Sequence, residues 1–398
     1  MKIIPRKKYL SQIEPFIKKE IIKVLVGQRR TGKSYLLKYL AEEFLESEPN
    51  SNIIFIDKEL YKFDFINDDA SLFDYIVNNL TETYNYIFID EIQDIKNFEK
   101  VLRDLQKREN VDIYITGSNA KLFSSELATH LSGRYIEIKV NPLSFPEFLI
   151  FHNLPNNDDS LMKYLRFGGM PYLKNLALEE EIVFSYLKDI FNTVLLKDII
   201  ARYNLRNVDF LFKLSEYLAE NSGNLISANR ISEYLKSQKI KIPVNTVVNY
   251  LGLLVSTYLV EKVKRINIKG KKIFEVNEKY YFEDIGLRNS LIGFRAQDIS
   301  KIIENAVFAH LIFLGYDVKI GTLGDREIDF VAQKKNKTVY TQVSYLLSDK
   351  KTIDREFGNL LAINDNYEKI IVSMDKISFD NYEGIKHFTL INFLTDFE

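Results

Sequence analysis

The sequence predicts an α/β protein whose leading part is a parallel β-sheet covered by helices. Two observations carry this prediction. Short apolar runs rich in Ile and Val alternate with longer helical stretches through the first 140 residues, as expected for buried parallel strands joined by crossover helices. A glycine-containing segment, residues 27–34, directly follows the first apolar run and directly precedes an amphipathic stretch.

Five apolar runs are predicted to form the strands of this sheet. Between the first two runs, Leu36, Leu37, Leu40 and Phe44 recur at helical spacing and give the crossover helix a stripe to bury. The predicted strands are Ile21–Val26, Asn52–Asp57, Tyr86–Asp90, Val111–Thr116 and Tyr135–Val140.

The pattern changes after Asn141, and we predict four parts in the chain. The core at 1–145 is followed by a helical lid or connector at 146–203. In 204–297, three helical segments precede two extended segments, which predicts a winged helix. Residues 298–398 form a further α/β unit.

The composition narrows the classes of protein. A chain of 398 residues, 46% hydrophobic and 27% charged, predicts a globular protein of several domains. The absence of cysteine excludes disulfides, thiolate zinc sites and cysteine nucleophiles. No run approaches the ~18 apolar residues of a membrane span, and the basic start lacks a signal-peptide core. We therefore expect a cytoplasmic protein without membrane contact.

Residues 27–34 match G-x-x-x-x-G-K-[ST], a pattern that binds nucleotide phosphates through inward-pointing backbone N–H groups and a helix N-terminus. Lys33 is predicted to reach the β- and γ-phosphates of ATP, and Ser34 to hold Mg²⁺. The predicted cofactor-binding residues of this loop are Gly27, Gln28, Arg29, Arg30, Thr31, Gly32, Lys33 and Ser34.

The third apolar run ends in two adjacent carboxylates, Asp90 and Glu91. Because successive side chains of a strand point to opposite sides, we predict that Asp90 faces the metal ion while Glu91 orients and polarises a water molecule. This pair favours hydrolysis of ATP over transfer to a bound small acceptor.

Polar residues end the fourth run and precede the fifth. Ser118 and Asn119 are predicted to lie near the γ-phosphate, although an ordinary turn explains them almost as well. Arg134 is a candidate for the guanidinium that stabilises the transition state, in its own subunit or a neighbour. A surface arginine is the alternative, and since Arg29 and Arg30 also lie close to phosphate, the assignment is open.

These motifs together resemble a widespread prokaryotic family, the AAA-type ATPases that carry a C-terminal domain of unknown function. The resemblance also rests on Ser-Gly-Arg at 132–134, Pro-Leu-Ser-Phe-Pro-Glu-Phe at 142–148 and Gly-Gly-Met-Pro at 168–171, and it covers nearly the full chain. It implies a P-loop NTPase sheet of the additional-strand type in the core, and ATPase activity.

The predicted winged helix concentrates positive charge. Residues 201–280 hold 14 Lys or Arg against 7 Asp or Glu, a local net charge of +7 in a chain of net charge −1. Basic side chains on a wing can contact DNA phosphates, but winged helices also bind proteins, and exposed strands collect lysine. The basic residues of the predicted wing are Lys262, Lys264, Arg265, Lys269, Lys271 and Lys272.

The tail resembles the PD-(D/E)XK nuclease fold, with Glu304 on its first helix and Asp329 on a strand. Gln342 stands in place of the second acid and Ser344 in place of the lysine. Because a neutral amide binds Mg²⁺ poorly and a hydroxyl cannot replace an ammonium, we predict no cleavage, unless Lys319 or another nearby lysine substitutes in space.

The leading hypothesis is a Mg²⁺-dependent ATPase that acts as a nucleotide-driven switch, on DNA through its winged helix. One alternative is a nucleotide-regulated protein-interaction scaffold with little turnover, and another is an ATPase-coupled nuclease. The sequence leaves open whether the chain is a monomer or an oligomer in which Arg134 acts across an interface.

Overall fold

The computed structural model describes residues 3–120, 131, 133–237, 239–270, 273–347, 350–376 and 382–398, with only the backbone of 274–276. It contains two compact units. Unit one comprises Met1–Asn141 with Ser256–Tyr258, and unit two comprises Pro142–Val255 with Leu259–Glu398.

Five parallel strands form the sheet of unit one among the described residues, in the order β2-β3-β4-β1-β5. Strand β4 lies between β1 and β3, which is the additional-strand arrangement, so the predicted fold of the core is confirmed. Each strand agrees with its predicted run to within one residue at either end: β1 (Ile22–Val26), β2 (Asn52–Asp57), β3 (Asn85–Asp90), β4 (Val111–Gly117) and β5 (Tyr135–Lys139).

Helices bury both faces of this sheet. Helix α2 carries the predicted stripe of Leu36, Leu37, Leu40 and Phe44, which packs with Leu25 of β1 on one face. Since a fully buried large apolar side chain contributes about 1.5–3 kcal/mol, this stripe holds α2 on the sheet. Unit one contains α1 (Lys7–Ile13), α2 (Lys33–Ser47), α3 (Asp69–Asn79) and α4 (Phe98–Leu105).

Unit two contains a mixed sheet of seven described strands, in the order β12-β11-β10-β9-β8-β6-β7. The hairpin of the predicted wing, β6 and β7, forms one end of this sheet because β6 pairs in parallel with β8. The hairpin therefore shares a sheet with the tail, and the division into connector, winged helix and nuclease-like part stays a prediction. The strands are β6 (Val260–Asn267), β7 (Ile273–Phe282), β8 (Asp317–Leu323), β9 (Arg326–Lys334), β10 (Lys337–Val343), β11 (Glu368–Ser373) and β12 (Lys386–Thr389).

Several of the described helices of unit two begin at a residue whose side chain caps them, including Ser144, Asn157, Asn207, Asp284 and Thr389. In α5, for example, the Ser144 side chain accepts from the Glu147 backbone N–H and the Glu147 carboxylate accepts from the Ser144 N–H. Across the described ranges, no helix is both long and apolar enough to span a membrane. The helices are α5 (Phe145–His152), α6 (Asp158–Phe167), α7 (Glu180–Thr193), α8 (Val208–Glu220), α9 (Ala228–Ser237), α10 (Val244–Ser256), α11 (Ile285–Ile292), α12 (Ile299–Phe313), α13 (Lys350–Leu361) and α14 (Leu390–Asp396).

Candidate functional site

The loop between β1 and α2 depends on glycine at its first position. Gly27 has φ +139°, and a Cβ there would lie 2.4 Å from the carbonyl oxygen of Val140. Arg6 links the loop to the segment after β5, because its Nη1 donates to the Thr31 carbonyl at 3.2 Å and to the Asn141 carbonyl at 2.8 Å. The loop backbone is therefore fixed by close packing.

The loop keeps its polar side chains buried. Lys33 is only 4% exposed, and its ammonium donates to the carbonyl oxygens of Gly27 at 2.9 Å and Gln28 at 2.8 Å. Neither polar side-chain atom of Gln28 has a hydrogen-bond partner, although the residue is fully buried. Such orphaned atoms call for a ligand, so the loop fits a bound phosphate chain.

Asp90 ends β3 and lies against Ser34. The Thr116 hydroxyl donates to Asp90 Oδ1 at 2.5 Å. Burial raises the pKa of Asp90 above its ordinary value, while hydrogen bonds from Thr116 and Ser34 act in the opposite direction. A bound cation would remove much of the cost of burying this carboxylate.

Ser34 and Asp90 therefore fit the protein's share of a Mg²⁺ site. Nowhere in the described part of the chain do three or more His, Cys, Asp or Glu residues lie together so as to hold a metal ion. Since Mg²⁺ is typically bound by one or two protein ligands together with phosphate oxygens and water, Ser34 and Asp90 suit an ion that arrives with a nucleotide.

Glu91 leaves the strand with φ 55°, in the left-handed region, so this backbone turn, rather than strand alternation, sets its direction. Its carboxylate accepts from the Gln93 amide and, at 3.3 Å, from the Ser118 hydroxyl. Burial acts to raise the pKa of Glu91, but the charges of Lys33 and Arg29 lower it below the ordinary value. Glu91 is therefore held as a carboxylate.

The structure separates the three candidate arginines. Arg29 is buried and its Nη1 lies 3.2 Å from Glu59 Oε1, whereas Arg30 is exposed. Arg134 precedes β5, so it lies at the opposite edge of the parallel sheet from the loop, five strand residues or about 15 Å away. The structure thus does not bring Arg134 to the phosphate site of its own subunit, and its role across an interface stays a prediction.

The other predicted residue of this edge, Asn119, is buried. Gln93, Asp57 and Glu59 were not assigned from the sequence, although all three lie on the loop side of the sheet. Asp57 could have been identified from the sequence, because it ends the predicted strand β2 as Asp90 ends β3, and the two residues are neighbours in the parallel pairing. Gln93 and Glu59 lie in connections whose side-chain directions no periodicity predicts.

The predicted wing displays basic side chains. Lys262, Lys264 and Lys269 are exposed, and Lys262 Nζ lies 3.5 Å from Glu278 Oε1. Arg265 is half-buried. The predicted contacts of Lys271 and Lys272 lie outside the described residues.

The acidic residues of the tail surround a lysine from the hairpin. Lys279 of β7 places its Nζ 3.0 Å from Glu304 Oε1 and 2.9 Å from Glu327 Oε1. Asp329 is near enough to influence Lys279, and its Oδ2 accepts from the Val343 N–H at 2.8 Å. Lys279 therefore reaches the acids in space, whereas Lys319 contacts Asp317. Because the Lys279 ammonium is paired with the Glu304 and Glu327 carboxylates, it would compete with a metal ion for them, and we still expect no cleavage.

The two replaced positions of the tail make local hydrogen bonds. Gln342 Oε1 accepts from the Asp329 N–H at 3.4 Å, and the Ser344 hydroxyl donates to the Leu346 carbonyl at 3.3 Å. Burial, followed by the charge of Glu304, raises the pKa of Asp329 well above its ordinary value.

Comparison with known proteins matches residues 19–149 to an AAA domain and residues 158–298 to a domain of unknown function. An uncharacterized protein of Haemophilus influenzae is 35% identical over 402 residues, covering 98% of either chain. Another from Methanocaldococcus jannaschii is 30% identical, covering 92% of this chain and 86% of its own. A solved Walker-type ATPase of Pyrococcus abyssi is similar with a TM-score of 0.51 at 17% identity, covering 73% of this chain and 96% of its own. The chain therefore belongs to the family of these uncharacterized relatives, in which an AAA domain with a P-loop ATPase fold precedes a C-terminal domain of unknown function.

Proposed function

We propose that the protein is a Mg²⁺-dependent ATPase that acts as a nucleotide-driven switch on DNA. One observation carries the enzymatic part. At the carboxyl edge of the sheet, the charges of Lys33 and Arg29 keep Glu91 ionised, while Asp90 lies against Ser34 at the start of α2. The Lys33 ammonium, the Ser34 and Asp90 oxygens and the Glu91 carboxylate therefore lie at one edge of the sheet, which supports phosphate binding, metal binding and water activation at this place.

Each residue would have a distinct task. Lys33 exchanges the loop carbonyls for phosphate oxygens of ATP, and the buried Gln28 amide gains a polar partner. Mg²⁺ held by Ser34 and Asp90 would offset the negative charge of the triphosphate. Glu91 orients the attacking water and polarises it, and its hydrogen bonds from Gln93 and Ser118 fix the carboxylate in position.

The DNA part of the proposal rests on charge. Lys262, Lys264 and Lys269 are exposed on a hairpin in a region of net charge +7. Ammonium groups of this kind bind phosphates of duplex DNA without reading sequence. ATP binding and hydrolysis would then change how DNA is held.

A scaffold with little turnover is the second candidate. The same two hydrogen bonds from Gln93 and Ser118 occupy Glu91 Oε2, which would restrain a carboxylate that has to bind water. In that case ATP is bound and slowly hydrolysed, and the bound state alone is the signal.

Phosphate release from ATP by the full chain tests the proposal. We expect release that requires Mg²⁺, rises when duplex DNA is added, and disappears in Lys33→Ala together with nucleotide binding. Tight ATP binding with no Mg²⁺-dependent release would favour the scaffold. Mg²⁺-dependent phosphate release that is unchanged by DNA would support the ATPase activity but contradict the proposed action on DNA.

A further inference from the structure

An arginine inside the phosphate-binding loop has the position that a catalytic guanidinium needs. Arg29 is the second variable residue of the loop, and its side chain is only 7% exposed. A charge withdrawn from water acts on its neighbours far more strongly than an exposed one. The side chain of Arg30, the next residue, is exposed instead.

The ion pair that holds Arg29 is one that can open. Only its partner Glu59 is exposed, at 46%. Water can therefore replace the guanidinium at the Glu59 carboxylate, so this ion pair costs less free energy to open than a fully buried one. Glu59 is itself positioned by the sheet edge, since its N–H donates to Asp57 Oδ1 at 3.0 Å. Asp57 stands beside Asp90 in the ladder, so the pair lies next to the two carboxylates of the site.

The charge of Arg29 also acts where hydrolysis would occur. Arg29 directly follows Gln28, whose carbonyl oxygen accepts from the Lys33 ammonium at 2.8 Å, so the buried Arg29 side chain leaves the loop beside the phosphate-binding lysine. Among the three candidate arginines, all of which the structure describes, Arg29 alone is buried, whereas Arg30 and Arg134 are exposed. Arg134 lies at the far edge of the same sheet.

We propose that Arg29 supplies, within its own subunit, the guanidinium that stabilises the charge of the phosphoryl group during hydrolysis, and that Glu59 holds it until a nucleotide arrives. This proposal rests on the proposed ATPase function. The anionic γ-phosphate oxygens compete with the Glu59 carboxylate for the guanidinium, and the charge that builds on those oxygens in the transition state favours the phosphate. No residue of a neighbouring subunit is then required.

The experiment compares Arg29→Gln and Arg29→Lys with the parent chain and with Arg103→Gln, an exposed arginine on α4. Turnover, ATP affinity and affinity for ADP with aluminium fluoride, a mimic of the transition state, are measured for each. We expect Arg29→Gln to lower kcat by a factor of about 10² or more and to weaken the aluminium fluoride complex in parallel, with a much smaller change in ATP affinity. Arg29→Lys should restore part of both, and Arg103→Gln should match the parent.

The variant Glu59→Gln tests the second part of the proposal, that Glu59 holds Arg29 until a nucleotide arrives. Removing the competing carboxylate should tighten the aluminium fluoride complex by about two- to fivefold, since Glu59, the exposed member of the pair, contributes a free energy within the range of surface ion pairs. Loss of affinity in Glu59→Gln would instead make the pair a fixed positioning contact and overturn that half.

Two outcomes would overturn the role of Arg29. Arg29→Gln could weaken ATP and the aluminium fluoride complex equally with kcat unchanged, which would make Arg29 a ground-state phosphate ligand. Alternatively, Arg29→Gln could match the parent throughout. A parent chain that fails to hydrolyse ATP would contradict the proposed function separately, and the aluminium fluoride measurement would still decide on Arg29 because it needs no turnover.

Discussion

Replacing Lys279 by methionine should destabilise unit two. The ammonium lies within 3.0 Å of Glu304 and Glu327 carboxylate oxygens, and its side chain is only 4% exposed. Although burial acts to lower the pKa of Lys279, the charges of Glu304, Asp329 and Glu327 raise it above the ordinary value, so the group is charged in the folded state. Methionine removes the charge while retaining most of the side-chain volume.

The expected loss of unfolding free energy follows from the Glu304 and Glu327 carboxylates, which lose their counter-charge. Removing one member of a buried ion pair costs about 3–5 kcal/mol, because the other charge stays buried without compensation. At about 2–4 °C per kcal/mol for a unit of 150–250 residues, the melting temperature should fall by roughly 6 °C or more. Glu327 is 36% exposed, which places the loss toward the low end of this range.

Thermal unfolding of the full chain, followed by calorimetry between pH 5 and 8, measures the effect. The deficit of Lys279→Met should shrink as the pH falls, because the abandoned carboxylates take up protons and lose the charge that is costly to bury. Lys264→Met, which changes an exposed lysine on β6, should stay within about 0.5 kcal/mol of the parent. If Lys279→Met is as stable as the parent, or if its loss of stability does not depend on pH, the Lys279 charge does not stabilise unit two by compensating these carboxylates.

Three further predictions concern unit two. Changing Lys262, Lys264 and Lys269 together to glutamine should weaken duplex DNA binding at every sequence and lower the slope of log affinity against log salt by up to about 3, and an unchanged salt titration would count against DNA contact. In Mg²⁺ the purified chain should leave supercoiled plasmid intact, and cutting that vanishes in Asp329→Ala but persists in Lys33→Ala would show a nuclease. Burial lowers the pKa of His152 to about 4, so the stability that the neutral ring gives should be lost as the pH falls from about 6.5 toward 4. His152→Phe should flatten this part of a stability profile, and an identical profile would exclude His152 as the cause.

The sequence predicts the core of unit one closely because its signals are local. Continuous apolar runs define strands buried on both faces, and β2 (Asn52–Asp57) has the predicted bounds. The phosphate-binding motif carries its own structural context, a strand before it and a helix after it. The distance of Arg134 from the loop could also have been predicted. Arg134 precedes strand β5 and the loop follows the parallel strand β1, so the two lie at opposite edges of the sheet.

The contacts that complete the candidate ATPase site and the acidic cluster around Lys279 could not be predicted in this way. Gln93 and Glu59 reach the site from short segments that follow β3 and β2, and these segments are too short for a periodic pattern to indicate the side-chain direction. Lys279 meets Glu304 because the hairpin pairs with the tail's sheet, and a pairing between distant segments leaves no local pattern. Strand β12 (Lys386–Thr389) has only four residues, too few for alternation to stand out.

Glu91 is proposed to orient the water that attacks ATP, and substituting this residue tests the ATPase mechanism directly. Single-turnover hydrolysis and ATP affinity are compared for the parent chain, Glu91→Gln and Glu109→Gln, a control at an exposed surface glutamate. We expect Glu91→Gln to bind ATP as tightly as the parent but to hydrolyse it slower by a factor of about 10² or more, and Glu109→Gln to behave as the parent. Hydrolysis by Glu91→Gln at the parental rate would show that Glu91 does not orient the attacking water.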